Sequence, residues 1–122
     1  MNKITYFVAP RGEGKTQWLR ERAVEEVHNG NKVYMYTNSP LRYRIFAEEF
    51  YDATGEICHV LCADELSVIT ESSVAIIDNM IDSGINSSDI IQLCDKCSHV
   101  YITLEGTSAN AHICTCKKNL NK

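Results

Sequence analysis

Near the start of the chain lies a run of residues whose types and spacing suit the binding of phosphate: Ala9, Pro10, Arg11, Gly12, Glu13, Gly14, Lys15 and Thr16. The run matches the pattern G-x-x-x-x-G-K-[ST] at every fixed position except the first, where alanine stands in place of glycine. Residues 4–8 before it are apolar and suit a strand, and the residues after it predict an amphipathic helix. The pattern therefore has the strand–loop–helix setting that phosphate binding requires.

Each residue type in this run has a physical task. Gly12 and Gly14 let the backbone approach phosphates with positive φ, and the N-terminus of the following helix offers N–H groups. Lys15 is expected to reach the β- and γ-phosphates, and the Thr16 hydroxyl to bind Mg²⁺. The nucleotide-binding residues predicted here are Pro10, Arg11, Gly12, Glu13, Gly14, Lys15, Thr16 and Gln17.

A carboxylate that could help to hold the metal follows about sixty residues later. Residues 73–79 contain four apolar residues in a row and then Asp78, which predicts a buried strand with Asp78 at its C-terminal end. Open α/β sheets bind ligands at that end of their strands. We therefore expect Thr16 and Asp78 to form the Mg²⁺ site.

The remaining pattern predicts the elements that position these residues. Strands are predicted over residues 3–8, 32–37, 57–62, 73–79 and 100–104, and helices over 15–28, 40–54, 63–70 and 87–98, the last capped by Ser87 or Ser88. We expect an α/β, three-layer sandwich with a mainly parallel five-stranded sheet and helices on both faces. The strand bearing Asp78 is expected close to the strand before the loop. Residues 1–108 form this domain, and residues 109–122 are predicted to be a polar, loosely attached tail.

Helical periodicity separates buried from solvated positions. In the first helix Leu19, Ala23 and Val27 are predicted to face the core, whereas the charged residues, including Glu26, are expected to face water. In the second helix the aromatic residues are predicted to be core rather than a platform for stacking bases. His28, His59 and His99 have no partners at a diagnostic spacing and are given no role.

Composition limits the classes of protein. The chain has 122 residues and a formal net charge of −4, which argues against unspecific nucleic-acid binding as its main activity. No apolar run is long enough for a membrane span and no export signal precedes the first strand, so we expect a cytoplasmic protein, in the host cytoplasm if it is phage-encoded. In that compartment the six cysteines are expected to be reduced.

Some of the cysteines could instead bind zinc. Cys94 and Cys97, followed by Cys114 and Cys116 with His112 nearby, contain enough ligands for a tetrahedral site. The spacing of the second pair is short for such a site, and the first pair falls on the apolar stripe of a helix. Packing is therefore favoured over zinc.

The order of these elements resembles the RecA-like ATPase core, and is most similar to viral large terminases and helicase-type ATPases. The resemblance rests on the loop with Arg11 early in it, on the Thr-Asn-Ser-Pro turn of residues 37–40 leading into an aromatic helix, and on residues 103–108, which are similar to the coupling motif that senses the γ-phosphate. It implies ATP and Mg²⁺ as ligands, a charge-stabilising role for Arg11 beside Lys15, and a phage origin.

Two departures from that group bear on activity. Active members place a glutamate directly after the strand aspartate to activate water, and here Asn79 occupies that position. Because an amide cannot accept the proton, hydrolysis is expected to be slow unless Glu105, Asp82 or a partner protein provides the base, and Glu105 is our candidate. The chain also has no room for a nuclease domain or a second motor lobe.

Three functions stay open at this point. The first is a minimal P-loop ATPase that acts with a protein partner or as a homo-oligomer, reaching nucleic acid only through such a partner and binding no membrane. The second is a small nucleotide or nucleoside kinase, in which Arg42 and Arg44 could clamp an acceptor phosphate, although no Arg-rich lid is visible. The third is a regulatory domain that binds nucleotide without turnover.

Overall fold

The computed structural model describes residues 3–10, 14–37, 39–61, 73–80, 83–106 and 112–117, with the backbone alone for residues 61 and 112–117. Along the chain the described elements are β1 (Lys3–Ala9), α1 (Lys15–His28), β2 (Lys32–Tyr36), α2 (Pro40–Thr54), β3 (His59–Leu61), β4 (Ser73–Ile77), α3 (Ser87–Lys96), β5 (His99–Glu105) and β6 (His112–Lys117). The helix predicted over residues 63–70 lies outside the described residues.

The strands form one sheet in the order β3-β2-β4-β5-β1-β6. Strands β1 to β5 run parallel, as the register pairs Ala9↔Glu105 and Ile77↔Ile102 illustrate. The prediction of an α/β fold with five parallel strands is confirmed. Strand β5 lies between β1 and β4, so the strand before the loop and the strand before Asp78 are one strand apart rather than adjacent.

Strand β6 corrects the prediction of a loose tail for six residues. It pairs antiparallel with β1, from Lys3↔Lys117 to Val8↔His112. Without it β1 would be an edge strand with a row of unpaired N–H and C=O groups, and covering such an edge is favourable. The pairing partner is over a hundred residues away in sequence, which is why the local pattern of residues 112–117 did not predict it.

The sheet is buried on both faces at its centre. All five residues of β4 are buried, and its alternate side chains belong to two core clusters. One cluster joins the sheet to α1 and α2 through Leu19, Phe46 and Phe50, and the other joins it to α3 through Leu93, Cys94 and Cys97. The continuous apolar run of β4 is therefore explained by helices packing on opposite faces.

Local capping chemistry sets the helix ends. The side chain of Ser39 accepts a hydrogen bond from the backbone N–H of Arg42 at 3.3 Å, Pro40 is the first residue of α2, and Gly55 ends it with φ of 73°. A serine cap, a proline at the first helical position and a glycine after the last turn are the residue types that favour these helix ends. The cap of α3 differs from the prediction: Asn86, rather than Ser87 or Ser88, accepts from the N–H of Asp89 at 2.9 Å.

The charged face of α1 also needs a correction. Glu26, predicted to face water, is buried, and its carboxylate accepts hydrogen bonds from the Tyr101 hydroxyl and, at 3.0 Å, from the side-chain amide of Asn31. A buried carboxylate is tolerated where donors satisfy it, and periodicity alone cannot show that such donors are present. Leu19 and Ala23 are buried as expected.

Within the described ranges no helix combines the length and apolar character needed to cross a membrane.

Candidate functional site

Thr16 and Asp78, the two residues predicted to bind Mg²⁺, meet at the carboxyl end of the sheet. The Thr16 hydroxyl on the first turn of α1 donates to Oδ2 of Asp78 at 3.0 Å, across 62 residues of sequence. Asp78 follows directly after β4, so the strand delivers its carboxylate to the start of α1. Both side chains offer hard oxygen ligands, the type that Mg²⁺ prefers, and the donor set therefore fits this cation.

A second hydroxyl fixes the other oxygen of Asp78. Thr103 on β5 is completely buried and donates to Oδ1 of Asp78 at 3.0 Å. The same hydroxyl accepts from the backbone N–H of Asn79 at 2.6 Å, and the Thr103 carbonyl accepts from the N–H of Met80 at 2.9 Å. Thr103, expected to sense the γ-phosphate, thus contacts the Asp78 turn directly.

Lys15 is the first residue of α1, and its side chain reaches back to the end of β1, where the predicted phosphate loop begins. Its ammonium donates to the carbonyls of Ala9 at 3.0 Å and Pro10 at 2.9 Å, at the end of β1. The N–H of Gly106 also donates to the Ala9 carbonyl, at 3.0 Å, which joins the ends of β1 and β5. Because an ammonium has three donors, Lys15 can keep these contacts and still present an N–H to an anion.

The start of α1 is arranged for an anion. Gly14 precedes the helix with φ of 78°, a left-handed conformation that glycine adopts without strain, which agrees with the predicted role of this glycine. Among the described residues no side chain caps the helix, and its first turn carries no acidic residue. Among the described residues the first N–H groups of α1 thus have no side-chain partner, and they lie at the positive end of the helix dipole, where an anion is favoured.

These residues open into one cleft of about 410 Å³. Its lining includes Gly14, Lys15, Thr16, Asp78, Asn79 and Glu105. It is also lined by residues further along α1 and on α2: Gln17, Arg20, Arg42, Ile45, Phe46 and Glu49. The predicted residues Gly14, Lys15, Thr16, Gln17, Asp78 and Glu105 are thus brought together, whereas Arg11, Gly12, Glu13 and Asp82 lie outside the described residues.

The sequence did not predict that residues of α2 line the same cleft as Lys15 and Asp78. The Arg20 guanidinium forms an ion pair with the Glu49 carboxylate, which links α1 to α2 across the cleft. Arg42 lines the same cleft, but Arg44 lies in a separate groove beside Tyr51. The two arginines named for an acceptor phosphate therefore have different surroundings.

Asn79, which occupies the position of the expected glutamate, has an unusual backbone conformation. Its φ is 56°, the one positive value among the described residues other than glycine. Asparagine tolerates this left-handed region better than residues with longer side chains. The residue type at this position is thus suited to the sharp turn that carries the backbone past Asp78.

The described cysteines are packed in the core. Cys58, Cys94 and Cys97 are buried free thiols, and burial raises the pKa of both Cys58 and Cys97 to about 12. Within the described residues no group of three or more His, Cys, Asp or Glu side chains is placed to hold a metal ion. The other ligands of the zinc alternative, Cys114, Cys116 and His112, have side chains that lie outside the description.

A polar cluster at the other end of the sheet was missed. The Thr5 hydroxyl and the His99 ring share a hydrogen bond of 2.6 Å, the His99 and Tyr101 rings stack with centroids 3.9 Å apart, and Glu26 lies 3.8 Å from Nδ1 of His99. Burial lowers the pKa of His99, and burial together with the bond to Glu26 raises the pKa of Tyr101. The i, i+2 spacing of His99 and Tyr101 on one strand face was the available signal.

A scan against protein-family models gives no match to this chain, and a search of curated proteins gives none. The functional argument therefore rests on the geometry of the cleft.

Proposed function

We propose that this protein is a P-loop protein that binds ATP or another nucleoside triphosphate with Mg²⁺, and that it hydrolyses the nucleotide slowly or only with a partner. The observation that carries the proposal is the 3.0 Å hydrogen bond between Thr16 and Asp78. The loop pattern predicts Thr16 as one Mg²⁺ ligand, and the apolar strand that ends in an aspartate predicts Asp78 as the other. The two residues are 62 positions apart in sequence and are in direct contact.

The surroundings of that pair support the same conclusion. Lys15 directly precedes Thr16, the start of α1 lacks a side-chain cap among the described residues, and all these groups line one cleft. A cationic ammonium and a helix N-terminus suit a polyphosphate, since both favour negative charge. When bound, Mg²⁺ would neutralise phosphate charge between Thr16 and Asp78.

The placement of the helices on the two faces of the sheet and the position of Thr103 are consistent with this proposal. Helices α1 and α2 pack on one face of the sheet and α3 packs on the other, and we therefore assign a three-layer P-loop sandwich. This sandwich resembles the RecA-like core of viral large terminases and helicase-type ATPases. With that resemblance we also propose a phage origin. The position of Thr103 between β1 and β4, at the Asp78 carboxylate, suits a coupling element of that group.

Weak hydrolysis follows from Asn79. Hydrolysis needs a base that takes a proton from water, and an amide cannot serve. Glu105 lines the cleft and is the candidate among the described carboxylates, since it is the last residue of β5 and pairs with Ala9 at the end of β1. A regulatory domain without turnover remains the alternative that Asn79 favours.

Calorimetric titration with ATP and Mg²⁺ tests the proposal. The wild-type protein is expected to bind, and Lys15→Ala to lose most of the affinity because the loop then lacks its cation. Lys32→Ala is the matched control, since Lys32 is an exposed lysine at the start of β2 and lines a different groove. Equal affinity of the wild-type protein and Lys15→Ala, with both folded by circular dichroism, would refute the site.

Phosphate release by the same samples then measures turnover. We expect a slow release from ATP that Glu105→Gln abolishes, because the amide removes the candidate base. Release that survives this change would exclude Glu105 and leave the base to a partner or to another group.

A further inference from the structure

Helix α2 and the chain that follows it carry most of the large apolar side chains that the described part of the protein exposes. Six such side chains are exposed among the described residues, and five of them lie in this region. They are Leu41, Ile45, Tyr51, Ile57 and Val60, between 43% and 65% exposed. Apolar residues scattered singly over a surface need no explanation, whereas a cluster of them marks an interaction surface.

These exposed side chains form one continuous surface. A groove of about 450 Å³ is lined by residues of α2, including Tyr51, and by Ile57 beyond the end of the helix. Val60 on β3 pairs in register with Met35, whose side chain belongs to the same core cluster as Phe50 of α2. Val60 is therefore on the face of the sheet that α2 covers, and the apolar surface extends from the helix to β3.

The exposed face of α2 has the spacing of a helix–helix seam. Leu41, Arg44, Glu48 and Tyr51 are separated by three, four and three residues, which places them on one stripe of the helix. All four side chains are exposed. Within the described part of the chain, neither Arg44 nor Glu48 belongs to an ion pair. The stripe thus has an apolar residue at each end and two opposite charges between them.

We infer that this stripe pairs with the same stripe of a second copy of the chain, with the two α2 helices antiparallel about a twofold axis. Antiparallel pairing places Leu41 opposite Tyr51 of the second copy, and Arg44 opposite Glu48 of the second copy, because both pairs of positions are centred on residue 46. The twofold axis repeats each contact, so two ion pairs lie between two apolar contacts. A twofold dimer requires a self-complementary surface of this kind.

The order of the charges favours an antiparallel copy over other occupants. A purely acidic or purely basic partner would place a like charge against Arg44 or Glu48, and a parallel copy would place like charges against each other at both positions. The antiparallel copy offers the opposite charge at each. Ile45 flanks the seam near the axis and also lines the cleft that contains Lys15 and Asp78. The mouth of the proposed nucleotide site therefore lies beside this interface.

Sedimentation equilibrium of the full chain tests the pairing. As the concentration rises to about 100 μM, the wild-type protein is expected to approach twice the chain mass of 13.8 kDa, because interfaces of ordinary size have dissociation constants of about micromolar or below. Arg44→Glu and Glu48→Arg should each raise the dissociation constant by about 100-fold or more, since like charges then face each other twice. Leu41→Ser leaves the charges unchanged and should raise it by about tenfold or more.

A mixture of the two charge variants tests the antiparallel order. Each variant alone is expected to be monomeric, but an equimolar mixture should form a heterodimer. The Arg44→Glu chain carries two negative charges on its stripe, and the Glu48→Arg chain carries two positive ones. Contacts within one helix cannot produce this recovery, because any repulsion between positions 44 and 48 of one chain is still present in the mixture.

Glu21→Arg is the matched control, since it makes the same change of charge at an exposed position of α1. It should leave the association unchanged. All the altered side chains are exposed, so each variant should keep the wild-type circular dichroism spectrum.

The other outcomes would overturn the inference. Wild-type protein that stays monomeric up to about 100 μM would exclude the interface. A dimer that both charge variants leave intact would use another surface, and a mass above that of a dimer would indicate open association rather than a closed twofold pair. Charge variants that dissociate but do not combine when mixed would refute the antiparallel order.

Discussion

Replacement of Thr103 by valine tests whether β5 holds in place the carboxylate of Asp78, which we propose binds Mg²⁺. Valine has nearly the same shape as threonine but lacks the hydroxyl, so Thr103→Val removes the 3.0 Å bond to Asp78 and the 2.6 Å bond from the Asn79 N–H. The site is completely buried, and water has no direct access to the vacated position at residue 103.

The expected magnitude follows from those two bonds. Leaving a buried polar group without its partner costs about 1–3 kcal/mol, so we expect a loss of about 2 kcal/mol in the free energy of unfolding. For a chain of this length that corresponds to a fall in Tm of roughly 8 °C. Because a residue that orients a metal ligand typically changes metal affinity by about 10- to 100-fold, ATP affinity should fall by that factor in Mg²⁺ and change little in EDTA.

Thermal unfolding and calorimetric titration, each with Mg²⁺ and with EDTA, measure both effects. Thr103→Ser is the control, because it keeps the hydroxyl and loses one methyl group, at a cost of about 1 kcal/mol in stability. It should retain the Mg²⁺-dependent affinity. A folded Thr103→Val protein that binds ATP and Mg²⁺ like the wild-type protein, or a serine variant as weak as the valine one, would refute the reasoning.

Three further predictions concern other parts of the molecule. Asn79→Glu should raise phosphate release from ATP by about 10²-fold by adding a base, and lower stability by about 1 kcal/mol because φ is positive there; unchanged release would contradict the assignment of the missing base. Because the pKa of His99 is lowered in the folded protein, the unfolded chain binds the proton more readily as the pH falls below 6.5. The contribution of neutral His99 to the free energy of unfolding is therefore fully present above that pH and is lost as the pH falls towards the folded-state pKa. Denaturant unfolding between about pH 5.5 and 7.5 should show this loss, and His99→Gln should reduce it. With pKa values of about 12, Cys58 and Cys97 carry about 10³-fold less thiolate than an ordinary cysteine, so peptide mapping after brief alkylation of the native protein should find them unmodified, and rapid labelling would disprove their burial.

Much of the local structure was predictable because it depends on neighbouring residues. Ser39, Pro40 and Gly55 fixed the ends of α2 through a hydroxyl cap, a restricted φ and a left-handed glycine. The α3 cap shows the limit of this reasoning, since Asn86 and the two serines after it are all good caps and only the backbone conformation selects Asn86.

Long-range partners were harder to predict. Glu26 was assigned to solvent by periodicity, but Tyr101 and Asn31 reach it across the fold and make its burial tolerable. Strand β6 carried no clear alternation, and its pairing with β1 depends on an edge that only the assembled sheet presents. In each case the missing information was the identity of a residue distant in sequence.

The sequence by itself predicted the chemistry that we propose at the start of α1 and after β4. Glycine, lysine and threonine at fixed spacing, and an aspartate ending an apolar run, indicated phosphate and Mg²⁺, because those ligands demand these atoms at these distances along the chain. Only the tertiary structure decided what surrounds them. The strand order brought Thr103 to Asp78, and the packing of α2 turned Arg42 rather than Arg44 towards the cleft. Helical periodicity separates those two arginines, but which face meets the site depends on how α2 packs against α1 and the sheet.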